Sequence, residues 1–151
     1  MLVDINVLDH AADLPLPCFA TTGAAGMDVH AACTTPVTIP PGGVVMVPTG
    51  LRIAVPAGYE CQVRSRSGLA AKNGVFALNA PGTIDSDYRG EIQIILANFS
   101  ASPFTVERGM RIAQLVFARV EQVEWNVTVS LDSTERNTGG FGSTGIHVEK
   151  I

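Results

Sequence analysis

Short apolar segments separated by proline and glycine turns recur along the chain and constrain its fold more than any other feature. Turn residues such as Pro-Pro-Gly-Gly at 40–43 and Pro-Ala-Gly at 56–58 separate them. Many short strands at nearly even spacing predict an all-β sandwich, jelly roll or barrel. The candidate strands are residues 3–8, 27–32, 37–39, 44–47, 51–55, 59–64, 75–78, 91–97, 104–106, 112–120 and 125–131.

Two segments depart from this strand pattern. Residues 68–74 contain helix-forming residues closed by Asn-Gly, which predicts a single short helix with Arg66-Ser67-Gly68 at its N-terminal end. From Thr134 onward the chain is rich in glycine and has too few apolar side chains to hold it in place, which predicts a mobile arm. We therefore expect a core of residues 1–133 and an arm of residues 134–151.

Bulk properties exclude several classes of function. A chain of 151 residues with 46% apolar and 16% charged residues fits one globular domain. The net charge of −4 gives no sign of a nucleic-acid partner. The three cysteines are an odd number without CxxC spacing, which favours a reducing, cytoplasmic compartment over a disulfide framework or a zinc site. Neither a signal peptide nor an apolar run of about 20 residues is visible, so no membrane association is expected.

Residues 82–91 form the connection of a predicted hairpin. Strand-like residues flank it on both sides, and glycine lies at each end. The connection carries a carboxylate, Asp85, and an aromatic ring, Tyr88, three positions later. A small hairpin pocket with an acid and a ring suits a flat polar ring attached to a sugar.

Two glycine-containing segments are candidate anion sites. Arg66, Ser67 and the backbone at a helix start can bind an anion, although an ordinary serine N-cap explains the same pattern. The glycine run at 138–145, with Ser143 and the preceding Arg136, can wrap a phosphate, although a flexible tail explains it as well. The aromatic side chain of Phe141 within that tail indicates that the tail docks onto another surface.

Two further segments place polar groups beside buried strands. Alternation puts Met27 and Val29 on one face of a strand and Asp28 on the other, where the acid could order the waters of a magnesium ion. Residues 108–116 offer two arginines and Gln114. The alternatives are a solvated strand face for Asp28 and a charged turn for residues 108–116.

Taken together, these segments resemble in order and spacing the motifs of the trimeric deoxyuridine triphosphatase (dUTPase) family, over residues 23–145. The resemblance implies a distorted jelly-roll or β-barrel fold with one short helix and a C-terminal arm. It also implies a homotrimer with sites shared between subunits. The implied reaction is the hydrolysis of dUTP to dUMP and pyrophosphate, with Mg²⁺ bound through the triphosphate.

The resemblance also implies a role for each site residue. Asp85 would position and activate the attacking water, and Asp28 would hold a magnesium-bound water. The implied phosphate-side residues are Arg66, Ser67, Gly68 and, in the arm closing over the γ-phosphate, Arg136, Gly142 and Ser143. Gln114 would help to hold the phosphates or the catalytic water. The implied nucleoside-side residues are Asn79, Thr83, Ile84 and Gln93 for the uracil edge, Tyr88 under the deoxyribose and Phe141 over the uracil ring.

Three departures and two rival interpretations accompany this resemblance. Asn137, Ser65 and Met27 differ from residues that are usual in the family, and none is a proposed catalytic group. A dCTP deaminase would need a glutamate where this chain has Ile95. A nucleotide-binding protein without catalysis would have no physical need to retain all four of Asp85, Tyr88, Ser67 and Arg136.

Overall fold

The computed structural model describes residues 1–141 and residue 143, which form eleven strands, one α-helix and one 3-10 turn. The first half contains β1 (Asp4–Val7), the 3-10 turn (Asp9–Ala11), β2 (Met27–His30), β3 (Val37–Ile39), β4 (Val44–Pro48), β5 (Leu51–Ala54) and β6 (Tyr59–Ser65). The second half contains α1 (Ser67–Asn73), β7 (Val75–Ala77), β8 (Gly82–Ile84), β9 (Gln93–Asn98), β10 (Phe104–Val106) and β11 (Arg111–Arg119). The predicted all-β class with one short helix is confirmed.

The described strands pair antiparallel in four sheets. Their orders are β2-β11-β6-β8, β4-β9-β7, β1-β5 and β10-β3. The inner faces meet in one core, whose largest fully buried aliphatic side chains include Ile39, Ile94, Leu96, Ile112 and Leu115. Because each strand contributes alternate residues to this core, the remaining side chains face outward and can carry function.

Helix α1 lies where the sequence predicted it. Gly74 ends it in the left-handed conformation, with a φ of 65°, which favours glycine. Arg66 occupies the N-cap position and makes no side-chain capping bond, so Ser67 is the first helical residue. The serine N-cap interpretation is therefore wrong, and the Ser67 side chain is exposed.

The predicted hairpin is confirmed, with a longer connection than a simple turn. Strands β7 and β9 pair antiparallel, with Val75 opposite Asn98 and Ala77 opposite Leu96. The connection between them contains β8, which pairs with β6 instead of with either hairpin strand. The pairing of β8 thereby fixes the connection to the four-stranded sheet β2-β11-β6-β8, which we call the large sheet.

The predicted strand at 125–131 is wrong. These residues have no strand structure, and Trp125, Val127 and Leu131 are 90%, 93% and 87% exposed. Alternating apolar residues predict a strand only where a neighbouring strand supplies hydrogen bonds and a core covers the apolar face. Within the described part of one chain, this segment has neither.

The three cysteines are free thiols, as expected, and no helix among the described residues is long and apolar enough to cross a membrane. Cys18 is exposed, whereas Cys33 and Cys61 are buried. Burial, reinforced by the charge of Glu60, raises the pKa of Cys61 to about 12.

We expect Cys61 to resist alkylation in the folded protein. With a pKa of about 12, roughly one thiol in ten thousand is the reactive thiolate at pH 8. Iodoacetamide at pH 8, followed by peptide mass spectrometry, should label Cys18 first and Cys61 only after unfolding in urea. Equal labelling rates at Cys18 and Cys61 in the native protein would contradict the described burial.

Candidate functional site

A cavity of about 390 Å³ lies at the hairpin connection, between β8 and the start of β9. All the nucleoside-side residues predicted within the hairpin line it, together with the predicted acid: Asn79, Thr83, Ile84, Asp85, Tyr88 and Gln93. A neighbouring acid, Asp87, lies outside this lining and borders a second cavity, which Thr83 and Asp85 line as well. The structure thus distinguishes the two acids of the hairpin.

Strand alternation sets the direction of Asp85. In β8, Gly82 and Ile84 are buried and Thr83 is exposed, so the next position, Asp85, also faces outward. A turn follows, in which the Tyr88 N–H donates to the Asp85 carbonyl at 3.2 Å. Arg89 closes this turn by donating from Nη1 to main-chain carbonyls within it. The carboxylate therefore stands at the cavity on a bonded turn.

Two glycines make room for side chains of the cavity. A Cβ on Gly82 would lie 2.9 Å from the Asn79 Nδ2, so the amide occupies space that glycine leaves free. A Cβ on Gly90 would collide with the ring of Tyr88 in the same way. The positions of the amide and the ring both depend on glycine.

A second group of predicted residues meets on the large sheet, around Asp28. Its Oδ1 accepts from the Nε of Arg66 at 3.0 Å and from the Nε2 of Gln114 at 3.2 Å. Its Oδ2 accepts from the Nη1 of Arg111 at 3.3 Å. We call these four residues the charged cluster. Arg111 was not predicted as a site residue, although its position beside Gln114 was visible in the sequence.

Strand register brings the charged cluster together. Asp28 in β2 lies opposite Gln114 in β11, and Gln114 lies opposite Arg64 in β6. Arg66 follows β6 directly and reaches back over the sheet to Asp28. The Nη1 of Arg66 also donates to the Arg111 carbonyl at 3.1 Å, which fixes the guanidinium plane.

His30 lies beside the charged cluster in an unusual environment. Its Nδ1 is buried and has no hydrogen-bond partner among the described residues. Burial lowers the pKa of His30, and the Arg111 and Arg66 guanidiniums lower it further against the opposing effect of Asp28. The imidazole is therefore neutral at pH 7, and the positive charge of this region belongs to the arginines.

Within one chain, the cavity and the charged cluster are separate. Three strand steps in the order β2-β11-β6-β8 correspond to roughly 15 Å between Asp28 and the strand that carries Thr83. The described lining of the cavity includes none of Asp28, Arg66 and Gln114. Ser67 and Gly68 are exposed at the start of α1.

The described part of the arm bonds to itself. The Nε of Arg136 donates to the Gly139 carbonyl at 3.0 Å, and the Ser143 N–H donates to the Gly140 carbonyl at 3.0 Å. Phe141 is fully exposed. The structure therefore does not place Arg136, Phe141 or Ser143 at the cavity. Gly142 lies outside the described residues.

Comparisons with known proteins identify the family. The dUTPase family model matches residues 12–145. This chain belongs to the dUTPase family. A relative from Maricaulis maris (strain MCS10), named deoxyuridine 5'-triphosphate nucleotidohydrolase, is 53% identical over 145 residues, which is 95% of each chain. A protein of the same name from Anaplasma marginale (strain St. Maries) is 54% identical over 132 residues, covering 87% of this chain and 90% of its own.

Solved dUTPase structures have the same fold as this chain. The G164S mutant of the Staphylococcus bacteriophage 80alpha dUTPase, solved with dUpNHpp, superposes with a TM-score of 0.86. The match covers 96% of this chain and 99% of the phage protein, at 23% identity. The shared fold is therefore retained across a large divergence in sequence.

Proposed function

We propose that this protein hydrolyses dUTP to dUMP and pyrophosphate through attack of a water, positioned by Asp85, on the α-phosphate. Such an activity supplies dUMP for thymidylate synthesis and keeps uracil out of DNA. The observation that carries the proposal is the Asp85 carboxylate at a cavity lined by polar groups and the Tyr88 ring. The names of the relatives at 53% and 54% identity support the same activity.

Recognition of the nucleoside is assigned to the hairpin cavity. The main chain at Thr83 and Ile84 and the amide of Asn79 would pair with the uracil edge, with Gln93 as a further contact. Tyr88 would pack under the deoxyribose, so a 2′-hydroxyl would meet the ring or lack a hydrogen-bond partner. A site built to pair with one base edge can reject a wrong edge by several orders of magnitude.

The chemical step requires one base and several phosphate ligands. Asp85 would orient the water and accept its proton as the water oxygen bonds to the α-phosphorus. The bond from that phosphorus to the α–β bridging oxygen then breaks, and pyrophosphate leaves. Positioning of the phosphates supplies much of the rate. We assign it to Arg66, Ser67, the Gly68 main chain and Gln114.

Mg²⁺ is the proposed metal ion, held mainly by the substrate. Among the described residues, no group of three or more His, Cys, Asp or Glu side chains could hold a metal directly. An ion that keeps its waters and takes phosphate oxygens as ligands would need no such group, and Asp28 would accept a hydrogen bond from one of its waters. When bound, the ion neutralises phosphate charge.

A subunit arrangement with shared sites completes the proposal. We propose a homotrimer, because family members are trimeric and because one chain keeps its cavity and charged cluster apart. The exposed apolar segment at 125–131 and an apolar groove of about 460 Å³ beside Ile5, Phe19 and Phe117 support association with another copy. The free thiols fit a cytoplasmic location.

The arm, residues 134–151 beyond the core of residues 1–133, would close over the bound nucleotide. In that closed form Arg136, Gly142 and Ser143 would contact the γ-phosphate, and Phe141 would cover the uracil. The exposure of Phe141 in the described structure supports this assignment, because an exposed aromatic ring gains by docking on a base.

Replacing Asp85 by Asn should abolish most turnover and leave binding intact. The amide cannot accept the proton of the attacking water, so kcat should fall by about 10² to 10⁴. Pyrophosphate release measures turnover, and calorimetry with dUpNHpp measures affinity. The matched control is Asp87→Asn, in the same turn but outside the cavity lining, which should retain activity. Turnover of Asp85→Asn near that of the wild type would exclude its role.

The substrate itself is tested by pyrophosphate release from dUTP, dTTP, UTP and dCTP, with and without Mg²⁺. We expect dUTP to be strongly preferred. Ile95 lines the cavity where a deaminase would need an acid, so dCTP should yield no uracil nucleotide. Appreciable uracil nucleotide from dCTP, or saturable dUTP binding without pyrophosphate release, would contradict the proposal.

Replacing Asp28 by Asn should have opposite effects on ligand affinity with and without Mg²⁺. Without the metal, the variant leaves two guanidiniums less neutralised, so pyrophosphate should bind about two- to fivefold more tightly. With Mg²⁺, loss of a charged acceptor for a metal-bound water should weaken dUpNHpp binding. Calorimetry in EDTA and in Mg²⁺ measures both. Weaker binding under both conditions would show that Asp28 only orients Arg66.

Removing residues 134–151 should reduce catalysis and leave the core folded. The described part of the arm bonds to itself, so we expect loss of the arm to leave the thermal midpoint nearly unchanged. Loss of the proposed closure should lower kcat/KM for dUTP roughly a hundredfold. The measurements are thermal unfolding and pyrophosphate release. An unfolded truncation would show that the arm supports the core.

A further inference from the structure

The ring of Tyr88 is held by the main chain that follows it, not by burial. Its hydroxyl donates to the Glu91 carbonyl at 3.0 Å, and the side chain remains 45% exposed. The ring also fills the space that Gly90 leaves free. Wherever the main chain at 90–91 moves, the ring must follow.

The side chain of Glu91 fixes that main chain from the other side. Its Oε1 accepts from the Gly50 N–H at 2.8 Å and lies 3.0 Å from the Nε2 of His10. Because a carboxylate only accepts, the hydrogen of this contact lies on the imidazole Nε2. Beyond Glu91, the Ile92 N–H donates to the Leu51 carbonyl at 2.8 Å. The Glu91 side chain thus anchors the main chain that accepts the hydrogen bond of the Tyr88 hydroxyl.

His10 itself is held on a fixed element. It lies in the 3-10 turn Asp9–Ala11, and the Nη2 of Arg108 donates to its carbonyl at 2.7 Å. Arg108 also pairs with Asp13, and this hydrogen bond lowers the pKa of the Asp13 carboxyl. On the other side, Gly50 adopts a φ of +67° and approaches Ala11 so closely that a Cβ would collide with it. The imidazole therefore reaches Glu91 from a rigid base.

We propose that His10 is a positioning residue for sugar discrimination, acting through Glu91 on the Tyr88 ring. The inference rests on the proposed function, in which Tyr88 packs under the deoxyribose. His10 is absent from the described lining of the cavity, whereas Glu91 and Tyr88 both belong to it. Loss of the imidazole leaves Glu91 with the Gly50 N–H alone, so the ring gains freedom and tolerates a 2′-hydroxyl better.

The test compares His10→Ala, His10→Gln and the control Asp9→Ala, an exposed side chain of the same turn. His10→Ala should raise KM for dUTP and lower the dUTP:UTP ratio of kcat/KM about three- to tenfold, with kcat for dUTP within about twofold. His10→Gln, which can still donate to Glu91, should restore most of the ratio. Asp9→Ala should behave as the wild type, and all three thermal midpoints should agree closely.

A double-mutant cycle tests the route through Glu91. If His10 acts only through it, adding His10→Ala to Glu91→Ala should change the dUTP:UTP ratio no further. An additive effect, an unchanged ratio in His10→Ala, or an equal loss of kcat on both nucleotides would each overturn the proposal. A change in the thermal midpoint without a change in the ratio would assign His10 a purely structural role.

Binding of the monophosphates separates this proposal from the proposed hydrolysis. The dUMP:UMP affinity ratio, measured by calorimetry, should fall three- to tenfold in His10→Ala even in a background that releases no pyrophosphate. If the wild-type protein binds dUMP more tightly than UMP but releases no pyrophosphate, the proposed hydrolysis is refuted. The dUMP:UMP affinity ratio of His10→Ala then still decides the His10 proposal. A wild-type protein that does not prefer dUMP to UMP would overturn the His10 proposal.

Discussion

The register of β11 between β2 and β6 is the constraint on which the rest of the structure depends. It places Asp28 opposite Gln114 and, one strand further, Gln114 opposite Arg64. A slip of one residue would turn Gln114 into the core and a buried neighbour to the surface. Ala113 and Leu115 are almost fully buried on either side of Gln114, so hydrophobic burial enforces the register that the charged cluster needs.

The same sheet explains how Asp28 orders the side chains around it. Two guanidiniums and an amide approach its carboxylate, which costs less than leaving the arginines next to each other without a counter-charge. Side chains held in this way lose little conformational entropy when an anion arrives. Asp28 thus holds Arg66 and Arg111 in place for the proposed contacts with an anion.

Local features of the structure could be predicted from the sequence, because local chemistry determines them. Asn73-Gly74 ends α1, and the paired strands around residues 82–91 define the hairpin. Contacts between distant segments could not be predicted. His10 and Glu91 are 81 positions apart, and Arg111 and Asp28 are 83 apart, so no spacing in the sequence indicates them. The predicted strand at 125–131 failed for a related reason. Alternating apolar residues do not show whether a neighbouring strand is present to pair with them.

The hairpin cavity shows why the acid and its recognition groups belong to one connection. Asp85 is placed by β8, which the large sheet holds, whereas Tyr88 is placed by Glu91, which the turn at Gly50 and the 3-10 turn hold. In their proposed roles, the water-positioning and the sugar-contacting groups therefore have different supports, although the Tyr88 N–H also donates to the Asp85 carbonyl. Ile84 pairs with Cys61, so β8 is held by the large sheet and not by the Glu91 contacts, and we expect the proposed change in sugar preference to leave Asp85 in place. The groups proposed for discrimination and for chemistry are thus joined by one turn but anchored on different elements of the structure.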